Sequence, residues 1–276
     1  MKKLNSISAI LVFSFFLLTP VLSQPLNDIT SPSVQVVYAA GEDGIFMKSS
    51  NAGTSYTSTL ITSGDLNGIS AAGPRVWAAG DSGRYLSSTD LGVSWTEGIL
   101  GAGAQLNSIF FSDTLTGYIS GNGGMILKTT NSGANWSALN SGVTFNLNKI
   151  EFANSSTGFA FGESSSVLIT TNGGTNWNAI TTPSLSFLRA ADVSGNEIIA
   201  GSTENVLYRS TDFGASWQQI ALNIYSKPGI NVLTILSPQE YIVVFESGTI
   251  WNTTNGGQSF TYPVNEFMDA LNSVYV

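Results

Sequence analysis

Apolar and polar positions alternate along the chain in short runs of four to six residues, each bounded by Gly, Asn, Ser or Asp. Between Leu106 and Trp136 the runs read NSIFF, GYIS and MILKT, and NWSAL follows. Such runs between turn-forming residues predict β-strands, and nothing in this unit has helical spacing. The unit itself recurs. LNSIFFSDTLTGYISGNGGMILKTTNSGANW is followed by LNKIEFANSSTGFAFGESSSVLITTNGGTNW, and further copies run along the chain. Four strands in a period of about 40 residues predict one four-stranded antiparallel blade per repeat. Blades set around an axis make an all-β propeller. One blade cannot cover both of its faces, so neighbours must stack.

The most regular element is Ser/Thr-x-Asp/Asn-x-Gly-x-x-aromatic. Its six copies are SSNAGTSY, STDLGVSW, TTNSGANW, TTNGGTNW, STDFGASW and TTNGGQSF. Their acidic or amide positions are Asn51, Asp90, Asn131, Asn172, Asp212 and Asn255, in steps of 39, 41, 41, 40 and 43 residues. The motif falls between the third and fourth runs. Its Asp or Asn side chain is expected to accept backbone N–H bonds two or three residues on and so close a hairpin. The Gly two positions later permits a positive φ. Trp95, Trp136, Trp177 and Trp217, with Tyr56 and Phe260 as variants, are expected to pack on the blade core. A ring of metal or substrate carboxylates is the other reading, but four of the six positions are uncharged Asn.

These residues resemble the Asp-box (bacterial neuraminidase repeat) propellers. The longer stretches GNGGMILKTTNSGANW and GDSGRYLSSTDLGVSW are similar to the repeat of the photosystem II assembly and stability factor family. The resemblance covers essentially everything after the N-terminal segment. It implies a propeller that binds or scaffolds other molecules, and it says less about function than about fold, because the motif is structural. Sialidases share the motif but need an arginine triad. This chain has Arg75, Arg84, Arg189 and Arg209, and Pro74-Arg75-Val76 is not the expected Arg-Ile-Pro element. Two-propeller glycoside hydrolases need a cleft between propellers, and this chain has room for one.

Residues 1–23 read as a secretory signal. Lys2 and Lys3 precede an apolar run from Ile7 to Leu18, Pro20 breaks it, and cleavage is expected after Ser23. The run is short for a bilayer span. Residues 24–276 then form the propeller, which is expected to be secreted, periplasmic or on the cell surface of a bacterium, with no membrane span after cleavage. The net charge of −8 argues against nucleic acid. With no Cys and no His, the sequence offers no imidazole or thiolate zinc site and no Ser-His or Cys-His nucleophile. No metal or cofactor is expected.

The chain ends at LNSVYV, which matches the start of a repeat. Two closures follow. In one, Asn272–Val276 supplies the innermost strand of the first blade of a six-bladed ring, because Leu26-Asn27-Asp28-Ile29 runs into Thr30-Ser31-Pro32, a poor strand. In the other, the chain is a truncated seven-bladed propeller, as the family resemblance implies.

Two rings map by register to the axial mouth. The first is Asn67, Asn107, Asn148, Arg189, Asn231 and Asn272. The second is an acidic rim of Glu42, Asp81, Glu163, Glu204 and Glu246, with Asn122 at the equivalent place. Arg189 is the one cation among amides. Phe145, Phe187, Tyr225 and Phe267 in the inter-blade loops are candidate anchors for a protein or polysaccharide partner. The alternative is a carbohydrate-active enzyme, which would need two carboxylates converging in the channel.

Overall fold

The computed structural model describes residues 25–163, 166–181, 188–202, 206–222, 229–245 and 250–261. The expected signal segment and residues 262–276 lie outside them. Among the described residues there are six antiparallel sheets, and helix is confined to single 3-10 turns. Five sheets have four strands in simple sequential order. The sixth has three, Ile230–Ser237, Glu240–Phe245 and Ile250–Thr253, with an Asn252–Thr261 bridge where a fourth would start. The sheets are the blades of a β-propeller.

The inner strands are Leu26–Ser33, Leu66–Ala72, Leu106–Phe111, Leu147–Phe152, Leu188–Ser194 and Ile230–Ser237. Each of the first five packs on the inner strand of the next blade. The first corrects the expected closure. Leu26–Ser33 pairs with Val36–Gly41 and holds the innermost place in blade one, so Asn272–Val276 is not needed there. Pro32 is accommodated because the pairing is irregular between Thr30 and Ser33.

Burial falls from the second strand outward. Gly117–Gly121 (GYISG) and Gly158–Gly162 (GFAFG) are buried at every position, whereas Thr57–Leu60 on the outer edge is exposed at every position. A strand covered on both faces reads as a continuous apolar run, while an outer edge tolerates polar residues. The core therefore lies between blades. Tyr38 and Phe46 of blade one meet Leu66, Val76 and Leu86 of blade two. Trp77 stacks on Phe111 of blade three at 3.5 Å between ring centroids, and Tyr118 on Phe152 of blade four at 3.9 Å.

Backbone stitches fix the loops at one end of the blades. The N–H groups of Glu42, Asp81, Asn122 and Glu163 donate to the carbonyls of Pro25, Asp65, Gln105 and Asn146 at 3.0–3.1 Å. This contact is why a Gly precedes each of those residues: a Cβ on Gly80 would stand 1.9 Å from the Asp65 carbonyl oxygen.

Candidate functional site

The six Ser/Thr-x-Asp/Asn-x-Gly turns share one geometry. The hydroxyl of Ser49, Ser88, Thr129, Thr170, Ser210 or Thr253 accepts the N–H of the Gly four residues on at 2.8–3.0 Å. It also donates to Oδ1 of the Asn or Asp two residues on. That Oδ1 accepts the N–H four residues further, as Asn51 does from Ser55 at 3.0 Å and Asp212 from Ser216 at 2.8 Å. The side chain therefore reaches four residues on in every copy, Asp90 also takes the expected N–H three residues on, from Val93 at 3.1 Å, and the hydroxyl takes the Gly N–H. In the two acidic copies the second carboxylate oxygen accepts from Ser94 and Ser216. Hydrogen bonds from Ser94 hold the Asp90 carboxyl down at about 2, and Ser216 lowers Asp212 in the same way. Their oxygens serve their own turns.

The turns also join blades. Lys48 donates to the Leu91 carbonyl at 2.8 Å, Lys128 and Tyr118 to the Gly173 carbonyl at 2.6 and 3.0 Å, and Trp77 to the Ser132 carbonyl at 3.0 Å. Trp95, Trp136, Trp177, Trp217 and Phe260 all pack against inter-blade cores, and Tyr56 packs on the Ile29, Val37 and Met47 cluster of blade one.

The opposite end carries the axial mouth. Asn67 Nδ2 donates to Asp81 Oδ1 at 2.9 Å and to the Leu106 carbonyl of the next blade at 3.0 Å. Asn107 repeats this with Asn122 at 2.9 Å and the Leu147 carbonyl at 3.0 Å. Asn27 donates to the Leu66 carbonyl at 3.1 Å and occupies in blade one the place expected for Asn272. So the structure brings the Asn ring and the acidic rim together, and it commits one amide proton of Asn67 and of Asn107 to the rim of its own blade and the other to the next blade. Asn148 has the same register and is half-buried. Asp81 also accepts from Gln105 at 2.6 Å, and Glu163 from Asn146 at 2.9 Å. Glu42 is half-buried beside the mouth. Arg189 and Asn231 lie on inner strands, but their side chains are outside the described set; Asn272, Glu204 and Glu246 are outside it altogether. Phe145 packs on the Tyr118 core, and Phe187, Tyr225 and Phe267 are outside the described residues. Arg84 and Arg209 each hold a glutamate of their own blade, Glu97 and Glu197.

Deeper in the channel lies a charged cluster. Lys149 Nζ stands 3.4 Å from Asp28 Oδ1 and 3.6 Å from Glu151 Oε1. Burial alone would push the lysine down, but Asp28, Glu151 and Asp192 outweigh it and hold the ammonium above the ordinary lysine range. Each carboxylate also caps a backbone N–H of the next blade. Asp28 accepts from Ile69 at 2.9 Å, Glu151 from Val193 at 3.1 Å and Asp192 from Ile235 at 2.7 Å. Ser70 and Ser108 do the same for Phe111 and Ile150. The sequence reading missed these residues. The signal was there: the third and fifth residues of the inner strands are charged in three repeats and uncharged in the others, where the scaffold needs no charge.

The family model of the photosynthesis system II assembly factor YCF48 matches residues 128–275. The chain belongs to that family. No curated protein matches it. Among solved structures, it is similar to YCF48 bound to D1 peptide, with a TM-score of 0.72 at 19% identity over 88% of this chain and 83% of that one. YCF48 from Cyanidioschyzon merolae gives 0.71 at 14% identity over 87% and 85%. The GH74 enzyme of Niastella koreensis gives 0.73 at 15% identity over 87% of this chain and 45% of that one, so this chain spans under half of that enzyme. At these identities the structural likeness is one of fold.

Proposed function

We propose that this YCF48-family propeller is an exported, non-catalytic docking protein that holds a segment of another protein at its axial mouth while a larger assembly forms. One observation carries the reading. The mouth is a polar rim whose Asn67 and Asn107 protons and whose deeper Asp28 and Glu151 oxygens are already consumed in bonds within and between blades. Such a rim is rigid and preorganised, which favours recognition of a segment laid across it. The solved YCF48 with a bound D1 peptide supports a protein partner. Arg189, the one cation in the Asn ring, is the residue assigned to the partner, since a guanidinium offers a fork of donors to carboxylate or amide oxygens. Export rests on the sequence of residues 1–23.

The test is binding of an array of extended peptides to the purified protein. Arg189→Ala is expected to weaken the bound peptides about tenfold, a loss typical of an interface hot spot, and Arg84→Ala to leave them unchanged. Equal losses, or destabilisation by Arg189→Ala with intact affinity, would sink the assignment.

Glycoside hydrolysis is the second reading, and Asp28 and Glu151 are what favour it, because two carboxylates do converge on Lys149 in the channel. Against it, both oxygens of each face either that ammonium or a backbone N–H, leaving none to attack or protonate a sugar. Release of reducing ends from xyloglucan or sialylated oligosaccharide, abolished by Asp28→Asn, would establish it.

A further inference from the structure

Five of the seven large apolar side chains exposed among the described residues lie at the end of the blades that carries the Asn/Asp turns: Val34, Leu91, Val93, Leu115 and Phe213. This end is opposite the mouth, since the turns follow the third strands and the mouth loops precede them. Leu91 and Val93 sit in one turn of blade two, and Leu115 in the first hairpin loop of the adjacent blade three. The Leu91 N–H donates to the Pro74 carbonyl, and a Cβ on the adjoining Gly73 would stand 3.4 Å from the Thr114 methyl, next to Leu115. Val93 also lines a cleft of about 400 Å³ at the seam of blades one and two, whose walls are mostly polar, Lys48, Ser50, Ser55, Thr57 and Thr59, with Phe46 and Tyr56 among them.

Two of these residues are held at a conformational cost. The position after the turn Asp or Asn is left-handed in every copy, with φ between 55° and 69°. It carries Ala52, Ser132, Gly173 and Gly256 in four repeats but Leu91 (φ 61°) and Phe213 (φ 57°) in the other two. Left-handed backbone disfavours side chains with a Cβ. Leu91 is 41% exposed and Phe213 38%, so each keeps a substantial apolar surface in water. The repeat itself shows that Gly serves here. Large apolar side chains held in left-handed backbone and left partly in water point to a role at the surface.

The charges around them define the partner. Asp90, Asp113 and Asp212 are exposed at this end. The cations nearby are half-buried. Lys48 and Lys128 are turned onto carbonyl oxygens, Arg209 onto Glu197 and the Pro238 carbonyl, and Arg75 sits beside Pro74. We infer that the end of the propeller carrying the Asn/Asp turns is a second docking surface, centred on Leu91, Val93 and Leu115, for a protein segment that presents aliphatic side chains beside Lys or Arg. It stands whether or not the mouth binds.

The test is fluorescence anisotropy with three short fluorescein-labelled peptides: Leu and Lys in alternation, the same with Ser for Leu, and the same with Glu for Lys. The Leu/Lys peptide is expected to bind about tenfold more tightly than either control. Leu91→Gly with Val93→Ser should remove that margin without lowering the melting temperature, and Leu115→Ser, which leaves the left-handed backbone untouched, should weaken binding in the same direction. Equal binding of all three peptides, no binding to the parent protein, or undiminished binding to the variants overturns the proposal. So does a lowered melting temperature for Leu91→Gly together with unaltered binding to Leu115→Ser, which makes Leu91 a folding residue. Concentration-dependent dimerisation abolished by the variants reassigns the patch to self-association. Loss of binding to phosphatidylglycerol vesicles, with peptide binding unchanged, reassigns it to a membrane.

Discussion

Lys149 Nζ lies 3.4 Å from Asp28 Oδ1 and so joins the inner strands of blades four and one across the propeller axis, between residues 121 apart in sequence. Asp28 in turn caps Ile69 of blade two, Glu151 caps Val193 of blade five, and Asp192 caps Ile235 of blade six. A single lysine thus offsets part of the charge of the carboxylates that stitch three blade junctions. Its raised pKa means that this contribution is complete below the ordinary lysine value of 10.5 and is lost only as pH rises through the higher folded value. Lys149→Met leaves the carboxylates facing one another unpaired. It is expected to cost about 2–4 kcal/mol, the lower figure allowing for partial solvation, as read from the urea midpoint at pH 7. An unchanged midpoint would mean that water screens the cluster.

The propeller was legible in the sequence because its cause is local. Gly, Asn and Ser at the ends of each run, and the Ser/Thr-x-Asp/Asn-x-Gly turn, act within a few residues and repeat. The mouth ring was legible as a register, but its chemistry was not. That Asn67, bonded to Asp81 of its own repeat, also reaches the Leu106 carbonyl depends on how neighbouring blades abut, which no single repeat encodes. The channel cluster was missed for the same reason. Asp28 and Lys149 are distant in sequence, and only closure of the ring sets them face to face. The inner strand of blade one was misjudged because Pro32 reads as a strand breaker, whereas the inner strand has an irregularity there that needs no ladder bond.

Asn67→Ala removes both protons of one latch. The Leu106 carbonyl and Asp81 each lose a donor at a half-buried site. The expected cost is about 1–2 kcal/mol in equilibrium denaturation, since a hydrogen bond contributes about 1 kcal/mol net and an unsatisfied partner adds to the loss. Asn67→Asp should be worse than Ala, because it sets a second carboxylate against Asp81. The opposite order would show that the latch is not formed through Nδ2.

Gly133 combines a left-handed φ of 88° with a neighbour. A Cβ there would stand 1.8 Å from the Tyr85 hydroxyl of the preceding blade. Gly103 is left-handed too, at φ 82°, but open space surrounds it. Gly103→Ala should cost about 1 kcal/mol from the backbone alone. Gly133→Ala should cost clearly more, because the tyrosine is wedged between blades and cannot withdraw. Equal melting temperatures for the two variants would argue against this contact of blades two and three.

Asp90 and Asp212 set the acid limb of stability. Both carboxyls are lowered, Asp90 to about 2, by hydrogen bonds from Ser94 and Ser216 to the charged form. A lowered folded pKa contributes stability that is present above the unfolded value of 3.8 and disappears as pH falls through the folded value. Replacing either residue with Asn, which four of the other turns already use, preserves the acceptor Oδ1 and removes the titration. At pH 7 the double variant should therefore melt close to the parent. Between pH 4 and pH 2, where the parent loses these contributions, its melting temperature should fall less steeply. Asp212→Ala differs, because it deletes the acceptor for Ser216 and should melt lower at every pH. Parallel acid limbs for the parent and the double Asn variant would place the acid sensitivity elsewhere, with Asp113, also held low, against the upward push of burial, by the Leu115 and Thr116 N–H groups, the first to examine by the same substitution.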